Sequence, residues 1–197
     1  MAKAQKPALN TVYQLKVTLA DFRPTIWRRI QVSGETRLSD LHLMLQAIMG
    51  WYNCHLHKFT IDGVDYAESD PDWNDLDYED ETKMRLSQVV SRAGARFSYM
   101  YDFGDGWEHD IVVEEILPPQ HGVKYPICLD GQRACPPEDV GGVWGYEEFL
   151  EAIKNPKHED HDSYLEWVGG EFDPDEFDVE QVNGALQDYR QLDLRNR

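Results

Sequence analysis

Side chains able to ligate metals or move protons gather near unusual turns of this chain: His55, His57, Asp102, Asp105, His109, Cys128 and Cys135. Imidazole, carboxylate and thiolate are the groups that zinc or iron would take. His55 and His57 lie two apart in a stretch that reads as a strand, which would set them on one face. Cys128 and Cys135 bracket a turn, LDGQRA. The spacing matches no standard metal motif, since neither C-x-x-C nor H-E-x-x-H occurs. A structural reading stands beside the chemical one. Asp102 and Asp105 would cap turns, His109 would be a hydrogen-bonded histidine beside Trp107, and Cys135 a small buried residue before Pro136 and Pro137. On the chemical reading, His55, His57, His109, Cys128 and Cys135, with Asp105, are the candidate ligands of a divalent metal. A metal-bound water would then be the nucleophile and Glu138 or Asp139 its base.

Two further segments carry polar pattern. Asp70, Asp72, Asn74, Leu76, Tyr78 and Glu81 fall on positions 1, 3, 5, 7, 9 and 12 of a calcium-loop template. Position 6 is Asp75 where the template wants glycine, and a hairpin precedes it, so a solvated acidic loop is the simpler reading. Arg133 to Gly142 (RACPPEDVGG) pairs two stiffening prolines with a Gly-Gly step that permits positive φ or a close backbone approach. No G-K-[ST] follows it. This segment reads as a rigid platform facing the turn at 102–106. The candidate binding groove between them takes in Asp102, Asp105, Trp107, His109, Arg133, Glu138 and Asp139. Trp27, Trp51, Trp107, Trp144 and Trp167 lie near these strings. Most should be core, and any that line a groove would anchor a peptide or small ligand.

Elements must position these groups. Tyr13, Leu15, Val17 and Leu19 alternate with polar residues as a half-buried strand. After the turn at Asp21–Thr25, Ile26, Arg28, Ile30 and Val32 form one face of a second strand. Leu38, Leu41, Leu45, Ile48 and Met49 recur at helical spacing, with Thr36 as the expected N-cap and Gly50 as the stop. This hairpin–helix opening is similar to a β-grasp start. Residues 56–61 and 64–66 predict a hairpin turned at Asp62-Gly63. Phe97, Tyr99 and Tyr101 predict a strand, and Trp107, His109, Ile111 and Val113 its partner. Pro118 to Gly145 reads as one long loop. Tyr146 to Ile153 reads as a helix, 156–163 as a polar connection, and Asp178 with Gln181 as the capping pattern of a last helix. Hairpins interleaved with helices favour α+β, with a mixed, mostly antiparallel sheet and C-terminal helices. Residues 1–10 read as a flexible tail, and 11–192 as a single domain.

The 197 residues are 41% hydrophobic, enough for a sizeable core. Basic residues number 19 against 37 acidic ones, a formal net charge of −18. Such a surface repels nucleic-acid backbones and anionic membranes and favours cations and basic protein segments. An odd count of cysteines, 3, and an N-terminus without an apolar run predict a cytoplasmic protein with no membrane span.

The strings IWRRIQV (26–32), HLHKF (55–59), YDFGDGWEH (101–109), RACPPEDVGG (133–142) and WVGGEFDPDEFD (167–178) occur in this order. Together they closely resemble the plasmid pRiA4b ORF-3-like family over residues 11–190. The resemblance implies a single α+β domain without an assigned activity. Some members carry a TnpR-type resolvase label as passengers of insertion elements. The sequence lacks the nucleophile among clustered arginines that a recombinase needs. The leading expectation is therefore a binding module for a protein or small-molecule partner. The alternatives are a metal-dependent, hydrolase-like enzyme and an accessory role, through protein partners, in mobile-element DNA transactions.

Overall fold

The computed structural model describes residues 11–68 and 78–194. Among them the strands are β1 (Val12–Leu19), β2 (Trp27–Ser33), β3 (His57–Ile61), β4 (Val64–Ala67), β5 (Glu79–Asp80), β6 (Arg96–Tyr101), β7 (Trp107–Leu117) and β8 (Ile127–Gln132). They form one sheet in the order β5-β4-β3-β6-β7-β1-β2-β8. Each neighbouring pair is antiparallel except β4–β5. The helices are α1 (Leu38–Met49), α2 (Leu86–Val89), α3 (Gly142–Lys154), α4 (His161–Trp167), α5 (Val179–Gln187) and α6 (Gln191–Leu194). This is the α+β class with a mixed sheet. The expected tail, residues 1–10, lies outside the described residues.

Strand alternation decides which sheet face is dry. Tyr13, Leu15, Val17, Ile26, Ile30 and Val32 are fully buried, against a helix α1 whose apolar stripe is buried in turn. The opposite face is polar and wired across strands. Arg29 makes a bidentate pair with Glu114, at 2.7 and 2.9 Å. Gln14 donates to the same carboxylate at 2.9 Å. Glu114 is available because β7 bulges there: Gln14 faces Glu115 and Leu15 faces Val113.

Arg28 sits on the dry face and is 4% exposed. A buried guanidinium is costly unless its N–H groups are satisfied. Here it donates to the carbonyls of Ile48 (3.2 Å), Trp27 (2.9 Å) and Gln132 (3.0 Å) and to Cys135 Sγ (2.9 Å). One side chain thereby ties β2 to the end of α1 and to β8.

Three expectations change. Thr36 does not cap α1. The helix starts at Leu38 after Arg37, with no side-chain cap, because Met84 O takes the Leu38 N–H at 3.0 Å while Leu86 donates to Thr36 O. The long loop from 118 contains β8, which pairs with β2, and its end from Gly142 already belongs to α3. The polar stretch after 156 leads into α4 from His161. The cap at Asp178 is present: its carboxylate accepts from the N–H groups of Glu180 and Gln181. Gly50 ends α1 in the left-handed region, φ 78°.

The free side of β8 is not left bare. Asn183 on α5 accepts from Cys128 N at 2.8 Å and donates to Cys128 O at 2.9 Å.

Candidate functional site

Three connections meet at one end of the sheet: residues 51–56 between α1 and β3, the β6–β7 turn at 102–106, and residues 133–141 between β8 and α3. Their meeting follows from the register. His57 pairs with Tyr101, so the residues just before β3 and just after β6 are neighbours. Asp102 N donates to Leu56 O at 2.9 Å and extends that ladder by one bond.

The β6–β7 turn is fixed by Asp102. Its backbone takes φ 54°, and its Oδ1 accepts from Gly104 N at 2.9 Å and Asp105 N at 3.3 Å. The third connection is clamped onto this turn. Gly141 N donates to Asp105 Oδ2 at 3.1 Å. Gly142 packs so tightly that a Cβ there would lie 2.4 Å from Asp105 O, and its φ is 70°. The Gly-Gly step thus serves a close approach, with positive φ at both residues.

Trp51 forms the floor. Its indole N–H donates to Pro136 O at 2.9 Å. Its ring lies 5.1 Å from Tyr101, 5.8 Å from Trp107 and 5.5 Å from His109. Glu138 reaches over it, accepting from Tyr52 N at 2.8 Å and from the Tyr101 hydroxyl in a short bond. That hydroxyl in turn accepts from Cys54 N at 2.9 Å. Burial first, and the Glu138 carboxylate beside it, hold the Tyr101 phenol well above its ordinary pKa. Tyr101 is therefore a neutral donor.

At the rim, His55 Nε2 lies 2.7 Å from Asp139 Oδ1 and 3.6 Å from Asp102 Oδ2. Asp139 takes φ 62°. Ligating atoms of His55, Asp102 and Asp139 all fall within 4.8 Å of one another, and no other such trio of His, Cys, Asp or Glu occurs among the described residues. Exposed apolar side chains stand beside this cluster in the chain. Tyr52 and Leu56 belong to the first connection, Phe103 follows Asp102, and Trp144, 85% exposed, sits in the first turn of α3.

The residues anticipated for a groove separate into layers. Asp102, Asp105, Glu138 and Asp139 meet at the junction. Trp107 and His109 lie beneath it, fully buried. Arg133 is at the far end of its segment, paired with Asp175.

The anticipated metal set does not converge. Strand β3 begins at His57, so His55 lies in the bend before it and strand alternation does not join the two histidines. His57 Nε2 instead meets Glu81 Oε2 at 2.9 Å, and its ring stacks on His42 at 3.4 Å. His109 Nδ1 faces the carbonyls of Tyr99 and Trp107 at 3.3 and 3.2 Å, which makes it the donor nitrogen. Burial lowers the pKa of His109 to about 4 and that of His57 to about 3. Cys128 lies in β8. Cys135 packs against Arg28 and, at 3.3 Å, the Met49 sulfur. Burial raises both thiols, and all three cysteines are free.

Of the calcium-loop template, Asp70, Asp72, Asn74 and Leu76 lie outside the described residues. Glu81 is buried against His57.

Trp51, expected from the sequence to be core or to line a groove, is core, 2% exposed; sequence reading missed Tyr101 and Asn53 as organisers of the junction. Tyr101 ends an alternating strand, and that position was its available signal. Asn53 shows its role only in three dimensions: it takes φ 59°, its Oδ1 meets His42 Nε2 at 2.7 Å, and its N–H donates to Gln46 Oε1.

Sheet and junction together define an acidic α+β protein with a histidine–carboxylate cluster where three connections cross. Residues 11–181 match the plasmid pRiA4b ORF-3-like proteins, and the chain belongs to that family. An uncharacterised protein of Sinorhizobium fredii, y4hQ, is 43% identical over 179 residues, spanning 90% of this chain and 92% of its own. The crystal structure of MM3350, a protein of unknown function from Methanosarcina mazei Go1, superposes with a TM-score of 0.81. It is 39% identical, and the match covers 89% of this chain and 99% of that one. No helix among the described residues is long and apolar enough to cross a membrane.

Proposed function

We propose that this chain is a binding module and that its ligand docks at the junction of His55, Asp102 and Asp139, presenting a positive charge. The supporting observation is the set of groups that meet there. Asp102 Oδ2 and Asp139 are acceptors beside one imidazole, Glu138 is engaged by Tyr101 and Tyr52, and exposed Tyr52, Leu56 and Phe103 belong to the same connections, with exposed Trp144 just beyond them in the first turn of α3. Exposed aromatic and aliphatic side chains on the connections that carry an acceptor cluster suit a ligand with a cationic head and an apolar body. The net charge of −18 favours the approach of such a ligand and disfavours nucleic acid.

Fluorescence anisotropy tests this. Short labelled peptides carrying Lys or Arg among apolar residues are titrated with the chain. Matched peptides with norleucine in place of the cation serve as controls. Asp102→Asn and Asp139→Asn should each weaken the cationic peptides about tenfold, the loss of one charge-assisted contact. Removing the same charge at exposed Glu151 and Asp162, on α3 and α4, should change affinity less than twofold. Equal effects at both places would mean that bulk charge attracts the peptide and that the junction is not the site.

A further inference from the structure

Resting on that reading of the junction as a cation site, we propose that His55, Asp102 and Asp139 also bind a first-row divalent transition ion, Mn²⁺, Fe²⁺, Co²⁺ or Zn²⁺, in competition with a cationic peptide for the same carboxylates. Neighbouring ligands on an ion with bonds of about 2.1 Å stand about 3.0–3.4 Å apart. His55 Nε2 lies 2.7 Å from one carboxylate oxygen and 3.6 Å from the other, and all three ligand atoms fall within 4.8 Å of one another, so rotation of the exposed Asp139 carboxylate is the adjustment that would admit the ion.

A proton fits these groups less well. The single Nε2–H of His55 serves Asp139, at 2.7 Å. Asp102 is only 9% exposed. Its Oδ1 is occupied by two backbone N–H groups, while its Oδ2, aimed at the imidazole, accepts no hydrogen bond from the described residues. A dipositive ion in place of that proton would be shared by all three ligands and would neutralise both carboxylates. An imidazole nitrogen among only three protein ligands selects against Ca²⁺ and Mg²⁺, which want oxygen shells. The Asp139 side chain is 66% exposed, so open coordination positions on the ion would face solvent. An oxygen or nitrogen donor of a ligand could enter there.

The test uses the full chain, untagged and stripped with chelator. Co²⁺ is followed by visible absorption and Mn²⁺ by electron paramagnetic resonance. One equivalent should bind, and Co²⁺ should gain the bands of an ion with nitrogen and oxygen ligands. His55→Ala and Asp139→Asn should each weaken binding at least tenfold, whereas the Glu151→Gln/Asp162→Asn pair should leave it unchanged. Millimolar Ca²⁺ should not displace the ion. Absence of saturable one-to-one binding, or binding that survives His55→Ala, overturns the inference. If Co²⁺ does not bind but the cationic peptides still require Asp102, only the metal assignment falls. If neither binds, the junction is not a cation site at all.

Discussion

Single residues decide how the junction is built, and Gly142 shows how steeply. Alanine there would place a methyl group 2.4 Å from Asp105 O on a backbone at φ 70°. The clash is with backbone, so relief requires moving the β6–β7 turn or the start of α3. Gly142→Ala should therefore lower unfolding free energy by about 2–4 kcal/mol, the sum of left-handed strain and overpacking. Urea denaturation measures it, and an unchanged midpoint would mean that the two connections are not clamped. The sequence announced flexibility at Gly141-Gly142 but not its use, because the partner, Asp105 O, lies far away in the chain. His55 was misplaced for a related reason. Its alternation with His57 is real in the sequence, but the strand begins only at His57, and where pairing begins depends on β6. Asp102 was read correctly as a turn cap from its place before Phe103-Gly104. Its second oxygen, facing His55, is a tertiary fact.

At the scale of elements, α1, β3, β6 and the 3-10 turn at Glu81–Lys83 are joined by buried titratable groups. Glu81 meets His57, His57 stacks on His42, and His42 Nδ1 meets the Tyr99 hydroxyl at 2.8 Å. Burial pushes Glu81 up from 4.5 to about 7 and His57 down from 6.5 to about 3. Burial, then repulsion from His57, lowers His42 as well. The pH dependence follows from which state holds each proton. Between pH 3 and 6.5 the unfolded chain protonates position 57 and the folded chain does not, so this residue makes stability rise with pH. Between 4.5 and 7 the folded chain keeps the Glu81 proton and the unfolded chain does not, so Glu81 makes stability fall with pH. The two cancel from 4.5 to 6.5, leaving His42 and His109 to drive a rise. Glu81→Gln removes the falling contribution while keeping an acceptor for His57. Its unfolding free energy should climb more steeply than that of the parent between pH 4.5 and 6.5. Parallel curves from urea midpoints at closely spaced pH values would exclude Glu81 as the opposing group. The elements themselves were mostly legible. Strict alternation marked β1, β2, β6 and β7, and a helical stripe marked α1. β8 was not, because ICLDGQ shows no alternation: Cys128 is its one buried residue, and its outer edge is met by a side chain of α5 rather than by another strand. The start of α3 was hidden because glycines mark ends of helices more often than starts.

For the whole molecule, charge is the dominant departure from ordinary composition. A net charge of −18 on 197 residues makes the compact state repel itself. Salt screens that repulsion within a Debye length of about 10 Å at 0.1 M. Raising NaCl from 20 to 500 mM should thus raise Tm by several degrees, and a fall in Tm would show that attractive pairs such as Arg29–Glu114 outweigh the net repulsion. The same charge acts between molecules, where it discourages the sheet edges from meeting. At the β8 edge it has local help. The Asn183 amide offers Cys128 one acceptor and one donor in the places where a ninth strand would offer them. A neighbouring chain seeking to add a strand finds that rung already taken, and by a side chain that cannot pass the pairing on. The sheet is thus terminated by a mimic of its own continuation, and polymerisation through that edge would first have to evict an asparagine.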